Sequence, residues 1–110
     1  MRPGRYIWID PSSGLEAVLF VDSLALGPAV GGVRTTSYAT LNDAIADAAR
    51  LAHSMTIKSA LAGLDAGGCK IVVRSSANMN RELAFERLGK FLAELGDHIH
   101  TGADLGTSED

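Results

Sequence analysis

The sequence predicts an α/β fold, a single three-layer domain in which a mixed sheet combines an N-terminal hairpin with strands that alternate with helices. Two β-prone runs open the chain, two later segments have helical periodicity, and short apolar strands follow each of those segments. Strands that alternate with helices are typical of layered α/β folds. At 110 residues the chain is expected to form one core, so the domain is expected to cover residues 1–110.

The composition excludes several classes of function. The formal net charge is -3, and the ten Lys and Arg residues are scattered among acids, so no basic surface for nucleic acid is expected. The single cysteine cannot form an internal disulfide, no secretory segment opens the chain, and no apolar run is long enough to span a membrane. These features predict a cytoplasmic protein without nucleic-acid or membrane partners.

The first part of the chain predicts a hairpin, a loop and a third strand. The β-prone runs 6–9 and Leu15–Val21 flank the turn-forming sequence Asp-Pro-Ser-Ser-Gly. The glycine-rich run 26–32 is expected to be a loop that permits unusual backbone angles, and 33–38 a strand.

A long helix is expected after Thr40, since Thr40-Leu-Asn-Asp43 has the spacing of a capping box with Asp in the place of Glu. Asp47 is expected to lie mostly away from the core face of this helix. That face is expected to carry the apolar positions Leu41, Ile45, Ala48, Ala49, Ala52 and Met55.

The second half predicts a strand, a helix and a last strand. The run 70–74 is expected to be a buried strand, and Asn80 the N-cap of the second helix. Gly96 has the position of a C-terminal glycine, and 98–101 is expected to be a strand. The second helix is indicated by apolar residues that recur at helical spacing: Phe85, Leu88, Leu92 and Leu95.

The run GLDAGGCK at 63–70 resembles a phosphate-binding loop only superficially. In a P-loop the lysine directly follows the second glycine and is itself followed by a hydroxyl residue, but here those positions are Cys69 and Lys70. The fingerprint G-x-G-x-x-G is absent as well, so no cofactor-binding residues are expected. His98 and His100 alternate on the last expected strand without a third ligand nearby, so no metal site is expected either.

Two lysines, Lys58 and Lys70, permit two interpretations. If Gly67 and Gly68 bring the backbone close to a small ligand, Lys70 lies in a cleft near Lys58, where burial and like charge lower its pKa and allow it to act as a base. In the alternative, both are solvated surface lysines, which is the ordinary state of this residue. Their spacing does not decide between the two.

Four motifs occur in order: LGPAVGGVR at 26–34, ADAARLAHSMTIK at 46–58, AGLDAGGCK at 62–70 and TGADLGTS at 101–108. Together with the N-terminal hairpin they resemble the N-terminal, substrate-binding and dimerisation domain of the glutamate/leucine/phenylalanine/valine dehydrogenases. The resemblance is closer to the leucine and phenylalanine branch than to glutamate dehydrogenase.

The resemblance implies a role for each matched residue. Lys58 would hold the α-carboxylate of the substrate, with the backbone of Gly31 and Gly32 lining the same end of the site. Lys70 would activate water for attack on the imino acid, and Asp104 would exchange protons with the amino or imino nitrogen. A lysine and an aspartate with separated pKa values can divide these tasks.

The resemblance also implies a side-chain pocket. Val30 matches a pocket position of leucine-type members, Gly102 matches a position that is glycine in phenylalanine-type members, and Met55 would form part of the wall. The missing methyl at Gly102 favours a bulky apolar, possibly aromatic, amino acid. A change of this size alters the discrimination between two substrates by only about 1–3 kcal/mol. Cys69 replaces a glycine of the family's usual Gly-Gly-Gly-Lys and is expected to be a buried, inert thiol.

The implied activity is the NAD(P)-dependent oxidative deamination of an L-amino acid to its 2-oxo acid, in a homo-oligomer joined through a sheet edge. NAD(P) would bind a Rossmann-type domain that residues 1–110 lack, so the chain is expected to be inactive alone. Three origins remain open: an excised fragment, a truncated gene product, or one half of a split enzyme whose Rossmann half is encoded separately. The alternative function is a stand-alone dimerisation or amino-acid-binding module without catalysis.

Overall fold

A computed structural model describes residues 1–103 of the chain. They form a mixed five-stranded sheet with the strand order β1-β2-β4-β3-β5 and two α-helices. The pairs β1–β2 and β2–β4 are antiparallel, and β3 is parallel to both β4 and β5. The elements are β1 Gly4–Asp10, β2 Leu15–Val21, β3 Ala29–Thr36, α1 Leu41–Leu61, β4 Gly67–Arg74, α2 Arg81–Ala93, a 3₁₀ turn Gly96–His98 and β5 Ile99–Ala103.

The two helices cover opposite faces of the sheet. Leu88 of α2 packs in one core cluster with Leu19 of β2, whereas Ala48 of α1 packs in a second cluster with Val18. Neighbouring residues of a strand point to opposite faces, so the two clusters lie on opposite sides of β2. The expected α/β fold with three layers and a mixed sheet is therefore confirmed.

Both expected helix starts are confirmed by their caps. The Thr40 hydroxyl oxygen accepts a hydrogen bond from the Asp43 N–H at 3.1 Å, and the Asn80 side-chain oxygen accepts one from the Leu83 N–H at 3.2 Å. Each bond satisfies a backbone donor that the helix itself cannot pair. The N-terminal hairpin is also present, and its turn places Gly14 at a φ of 77°, where glycine is favoured.

The expected strand boundaries are wrong at the glycine-rich segments. β3 begins at Ala29, so Gly31 and Gly32 belong to a strand rather than a loop, and β4 begins at Gly67 rather than at Lys70. Glycine lowers the strand propensity of both segments, but pairing between β3 and β4 overrides that preference. β5 begins at Ile99, so His98 lies outside the strand that carries His100.

The glycines of β4 allow close approach of the protein's own backbone. A Cβ added at Gly68 would lie 2.2 Å from the carbonyl oxygen of Ala52 and 2.3 Å from the backbone nitrogen of Thr56, both in α1. A Cβ at Gly67 would lie 1.8 Å from the carbonyl oxygen of Ser23. One interpretation of the sequence had Gly67 and Gly68 bring the backbone close to a small ligand, but the space beside these glycines is occupied by α1 and the segment after β2.

The described residues show neither a membrane-crossing helix nor a metal-binding cluster. Within residues 1–103, the helices are too short or too polar to cross a bilayer. The same residues contain no group of three or more His, Cys, Asp or Glu side chains that could hold a metal ion.

Candidate active site

Lys70 is the one charged side chain within residues 1–103 that is buried, with 6% of its surface exposed. It lies in β4 opposite Phe20 of β2 and, by strand alternation, on the same face as Val72, which packs against α1. Burial lowers the pKa of Lys70 below its usual value, and the charges of Arg34 and Lys58 lower it further, against opposing effects of Cys69 and Asp47. The surface-lysine interpretation is thus wrong for Lys70, whereas Lys58 is exposed.

One flank of α1 faces β3. Asp47 identifies this flank, since its Oδ2 lies 3.7 Å from Nη1 of Arg34 in β3. Lys58 follows eleven residues later, which is close to three helical turns, so it occupies the same flank about 16 Å further along the axis. Met55 is half-buried and lies between this flank and the buried face of the helix.

The sheet surface over β3 and β5 lies beside this flank, because α1 packs mainly on β4 and β2. Val30 and Gly32 share the α1 face with Arg34, since residues two apart on a strand point to the same side. In the parallel pairing of β3 with β5, Val30 lies opposite His100 and Gly32 opposite Gly102. Gly31 faces the other side, where an added Cβ would lie 1.8 Å from the carbonyl oxygen of Cys69.

The structure thus brings most of the sequence-predicted residues to one side of the sheet. Lys70, Val30 and Gly32 lie on the α1 face of adjacent strands. On the neighbouring helix flank, Lys58 and Met55 complete the group. Asp104 lies outside the described residues.

Sequence analysis missed a charged cluster at the other end of the flank. Asp47, expected to lie mostly away from the core face, has only 19% of its side chain exposed and contacts three residues. Its Oδ1 lies 2.6 Å from Nη2 of Arg50, while Oδ2 accepts a hydrogen bond from the Tyr38 hydroxyl and lies near Arg34. The signal that was available is the Asp-x-x-Arg spacing of residues 47 and 50, since residues three apart on a helix are neighbours.

Contacts within the Asp47 cluster determine the protonation states of Asp47 and Tyr38. Burial by itself raises the pKa of Asp47, but hydrogen bonds from Tyr38 and Arg50, together with the charges of Arg50 and Arg34, outweigh it and lower the pKa below its usual value. Burial and the hydrogen bond to Asp47 raise the pKa of Tyr38 to about 12. Asp47 is therefore a carboxylate, and Tyr38 a neutral phenol, at all ordinary pH values.

The cysteine beside Lys70 is a packing residue. Cys69 is fully buried in the core cluster on the α2 face of the sheet. Burial raises the pKa of the Cys69 thiol to about 12, so the reactive thiolate is scarce near neutral pH. The expected burial of the thiol is confirmed, and its raised pKa favours the expected lack of reactivity.

Comparisons with known proteins all indicate the same family. Residues 9–110 match the family described as Glu/Leu/Phe/Val dehydrogenase, dimerisation domain. The chain is 42% identical over 99 residues to a valine dehydrogenase of Streptomyces virginiae, which covers 89% of the chain and 28% of that protein. It is 38% identical over 102 residues to a phenylalanine dehydrogenase of Lysinibacillus sphaericus, which covers 92% of the chain and 27% of that protein.

Solved structures agree in fold. The L-tryptophan dehydrogenase from Nostoc punctiforme superposes with a TM-score of 0.89 at 28% identity, over 96% of this chain and 32% of that one. The hetero-hexameric glutamate dehydrogenase from Thermus thermophilus has a TM-score of 0.68, also at 28% identity, over 98% of this chain and 28% of that one. The chain spans less than a third of the length of each of these proteins.

Proposed function

Because this chain belongs to the Glu/Leu/Phe/Val dehydrogenase family, we propose that it is the substrate-binding part of an L-amino acid dehydrogenase that converts an apolar amino acid to its 2-oxo acid. The observation that carries the proposal is the position of Lys70, which is buried on the same sheet face as Val30 and Gly32 and beside the α1 flank that bears Lys58. Lysines are seldom buried in proteins, and a buried group with a perturbed pKa is a candidate functional group, so the burial of Lys70 favours a chemical role.

In the proposed reaction, each residue acts on the bound amino acid. The Lys58 ammonium binds the α-carboxylate through a charge-assisted hydrogen bond. The Lys70 amine, whose pKa is lowered by burial, takes a proton from the water that attacks the imino carbon. Asp104, which lies outside the described residues, is proposed to move protons to and from the substrate nitrogen.

NAD(P) takes up the hydride in this type of reaction, and we propose that it binds outside residues 1–103. Gly67 and Gly68 are occupied by backbone contacts with Ser23 and α1, so they cannot hold a pyrophosphate. We therefore place the cofactor on a separate Rossmann-type domain and expect no turnover by residues 1–110 alone.

The proposed substrate class follows from the sheet surface beside Lys70. Val30 offers an aliphatic side chain, and Gly102, paired with Gly32, carries no side chain beyond hydrogen. Met55 adds an adaptable wall on α1. These residues suit a bulky apolar amino acid, in line with the names of the valine, phenylalanine and L-tryptophan dehydrogenases that the chain resembles.

The binding test uses the purified chain and calorimetric titration with L-valine, L-phenylalanine, L-tryptophan and their 2-oxo acids. Lys58→Ala is expected to weaken binding by about 10- to 100-fold, because a hydrogen bond to a charged group is worth about 1.5–3 kcal/mol. Lys90→Ala is the matched control, since Lys90 is an exposed lysine of α2, on the opposite face of the sheet.

Equal binding by the wild-type chain and Lys58→Ala would contradict the assigned role of Lys58. Reduction of NAD by the purified chain in the presence of these amino acids would contradict the expected inactivity. If the purified chain binds none of these ligands, the remaining candidate function is assembly with a second copy.

Assembly is the second candidate function, and one observation favours it. β1 is an edge strand whose outward residues Ile7 and Ile9 are 40% and 58% exposed, whereas Trp8 between them stacks on Phe91 of α2 with ring centroids 5.5 Å apart. An apolar edge strand is ready to pair with another strand. We propose that β1 joins this chain to a second copy.

The wild-type chain is expected to associate with itself, and the Ile9→Lys variant is expected to be a monomer. The reason is that a charged residue on an edge strand opposes strand pairing. Light scattering after size-exclusion chromatography measures the change. The control is Leu61→Lys, which changes an 84% exposed residue at the end of α1, far along the chain from β1. A monomeric wild-type chain, or dissociation by both variants, would contradict an interface at β1.

A further inference from the structure

Arg34 has no role in the proposed binding and chemistry, yet its position is tightly determined. It lies in β3 on the α1 face of the sheet, with 28% of its side chain exposed. The carboxylate of Asp47 holds it from α1, and Tyr38 and Arg50 in turn hold that carboxylate. The cluster therefore fixes a guanidinium at one point of the sheet surface.

Geometry places this guanidinium close to Lys70. Arg34 is paired with Val72 of β4, two residues beyond Lys70 on the same strand face. With strands about 4.8 Å apart and a rise of about 3.3 Å per residue, the two Cα atoms lie about 8 Å apart on one surface. Two cations thus share the same partly desolvated region.

The Nε of Arg34 is buried and finds no acceptor within residues 1–103. Asp47 consequently neutralises only one side of the guanidinium, and it divides its charge between Arg34 and Arg50. The field of Arg34 therefore remains available to act on its neighbours on the sheet.

We propose that Arg34, anchored by Asp47, is a positioning residue for Lys70: its fixed positive charge on the adjacent strand disfavours the ammonium form of Lys70 and keeps the amine available as a base. Arg34 itself does not contact the reacting atoms. The inference rests on the proposed function in that it explains how Lys70 is prepared for its task, but the charge coupling is measurable without substrate.

Groups on three described elements act on the pKa of Lys70 in this coupling. Arg34 on β3 and Lys58 on α1 lower the pKa of Lys70, after burial itself, whereas Cys69 on β4 and Asp47 on α1 act in the opposite direction. The strand β2 contributes the uncharged Phe20. Among the charges of residues 1–103 named here, that of Arg34 has the largest effect on the pKa of Lys70.

The test is an NMR titration of the lysine side chains in the full chain, which contains only three lysines, Lys58, Lys70 and Lys90. Arg34→Met retains much of the apolar stem but removes the charge, so the pKa of Lys70 is expected to rise. Arg34→Lys keeps the charge and is expected to leave the pKa of Lys70 low. Arg50→Met is the matched control, because Arg50 binds the same carboxylate but is an exposed residue and is not among the main charges that lower the pKa of Lys70.

An unchanged Lys70 titration in Arg34→Met, or an equal shift in Arg50→Met, would overturn the proposal. If Arg34→Met does not fold, Arg34→Gln carries the same test, since it retains a donor for Asp47 without the charge. Failure of the proposed function has a different signature: the Lys70 pKa would respond to Arg34 as expected, while the chain would bind neither amino acids nor 2-oxo acids.

Discussion

Replacing Gly68 with alanine is expected to destabilise the domain by about 3 kcal/mol or more. The added Cβ would lie 2.2 Å from the carbonyl oxygen of Ala52 and 2.3 Å from the backbone nitrogen of Thr56, so α1 would have to move away from β4. Overpacking of this kind costs about 1–3 kcal/mol where side chains can yield, and more where only backbone can move. Urea unfolding followed by circular dichroism measures the loss.

Gly89→Ala is the control for this substitution. Gly89 is an exposed residue within α2, and a Cβ added there meets nothing within 4 Å. Alanine is a better helix former than glycine, so this variant is expected to gain about 0.5–1 kcal/mol. Opposite signs at the two glycines would confirm the close contact between α1 and β4, and similar stability of the two variants would contradict it.

Lys70→Met is expected to abolish the proposed chemistry and to remove a pH-dependent cost of folding. Replacing a buried charge with an apolar side chain of similar length removes a desolvation cost and is often stabilising. Because burial lowers the folded-state pKa of Lys70 below 10.5, the unfolded chain binds more protons between these two values. The cost of the charged lysine is therefore fully present below the folded pKa and disappears as the pH rises through this window.

The free energy of unfolding, measured from neutral pH to pH 10.5, tests this linkage. The free energy of unfolding of Lys70→Met, relative to that of the wild-type chain, is expected to be highest at neutral pH and to fall toward pH 10.5. A difference that stays constant across this range would show that the lysine is not desolvated in the folded state. Lys90→Met, at an exposed position of α2, provides the comparison with an ordinary surface lysine.

Much of the fold was predictable because its signals are local. The hairpin depends on a turn sequence between two β-prone runs, and the helix starts at Thr40 and Asn80 depend on side chains that cap the backbone three residues later. The starts of β3 and β4 were not predictable, because glycine disfavours strands and the compensating contacts come from distant parts of the chain. The contact of Gly68 with α1 is such a case.

In the candidate site, too, some features were predictable from the sequence and others were not. Lys58 and Lys70 were found through the resemblance of their motifs, but only the three-dimensional arrangement shows that one is buried and the other exposed. The link from Asp47 to Arg34 joins residues of a strand and a helix, and no periodicity encodes it. Tyr38, which completes that cluster, is separated from Asp47 by nine residues and a turn into the helix.

The contact of α1 with Gly68 also governs how the chain around Lys70 fluctuates. The Gly68 amide donates to the Thr56 hydroxyl at 3.0 Å, two residues before Lys70, in a strand with paired neighbours on both sides. Partial opening events that release loops and termini usually leave a central strand intact, so its amide hydrogens are expected to exchange only when the whole domain unfolds. We therefore expect the amide of Lys70 to be among the slowest to exchange within residues 1–103, so that little thermal motion disturbs the alignment of this lysine.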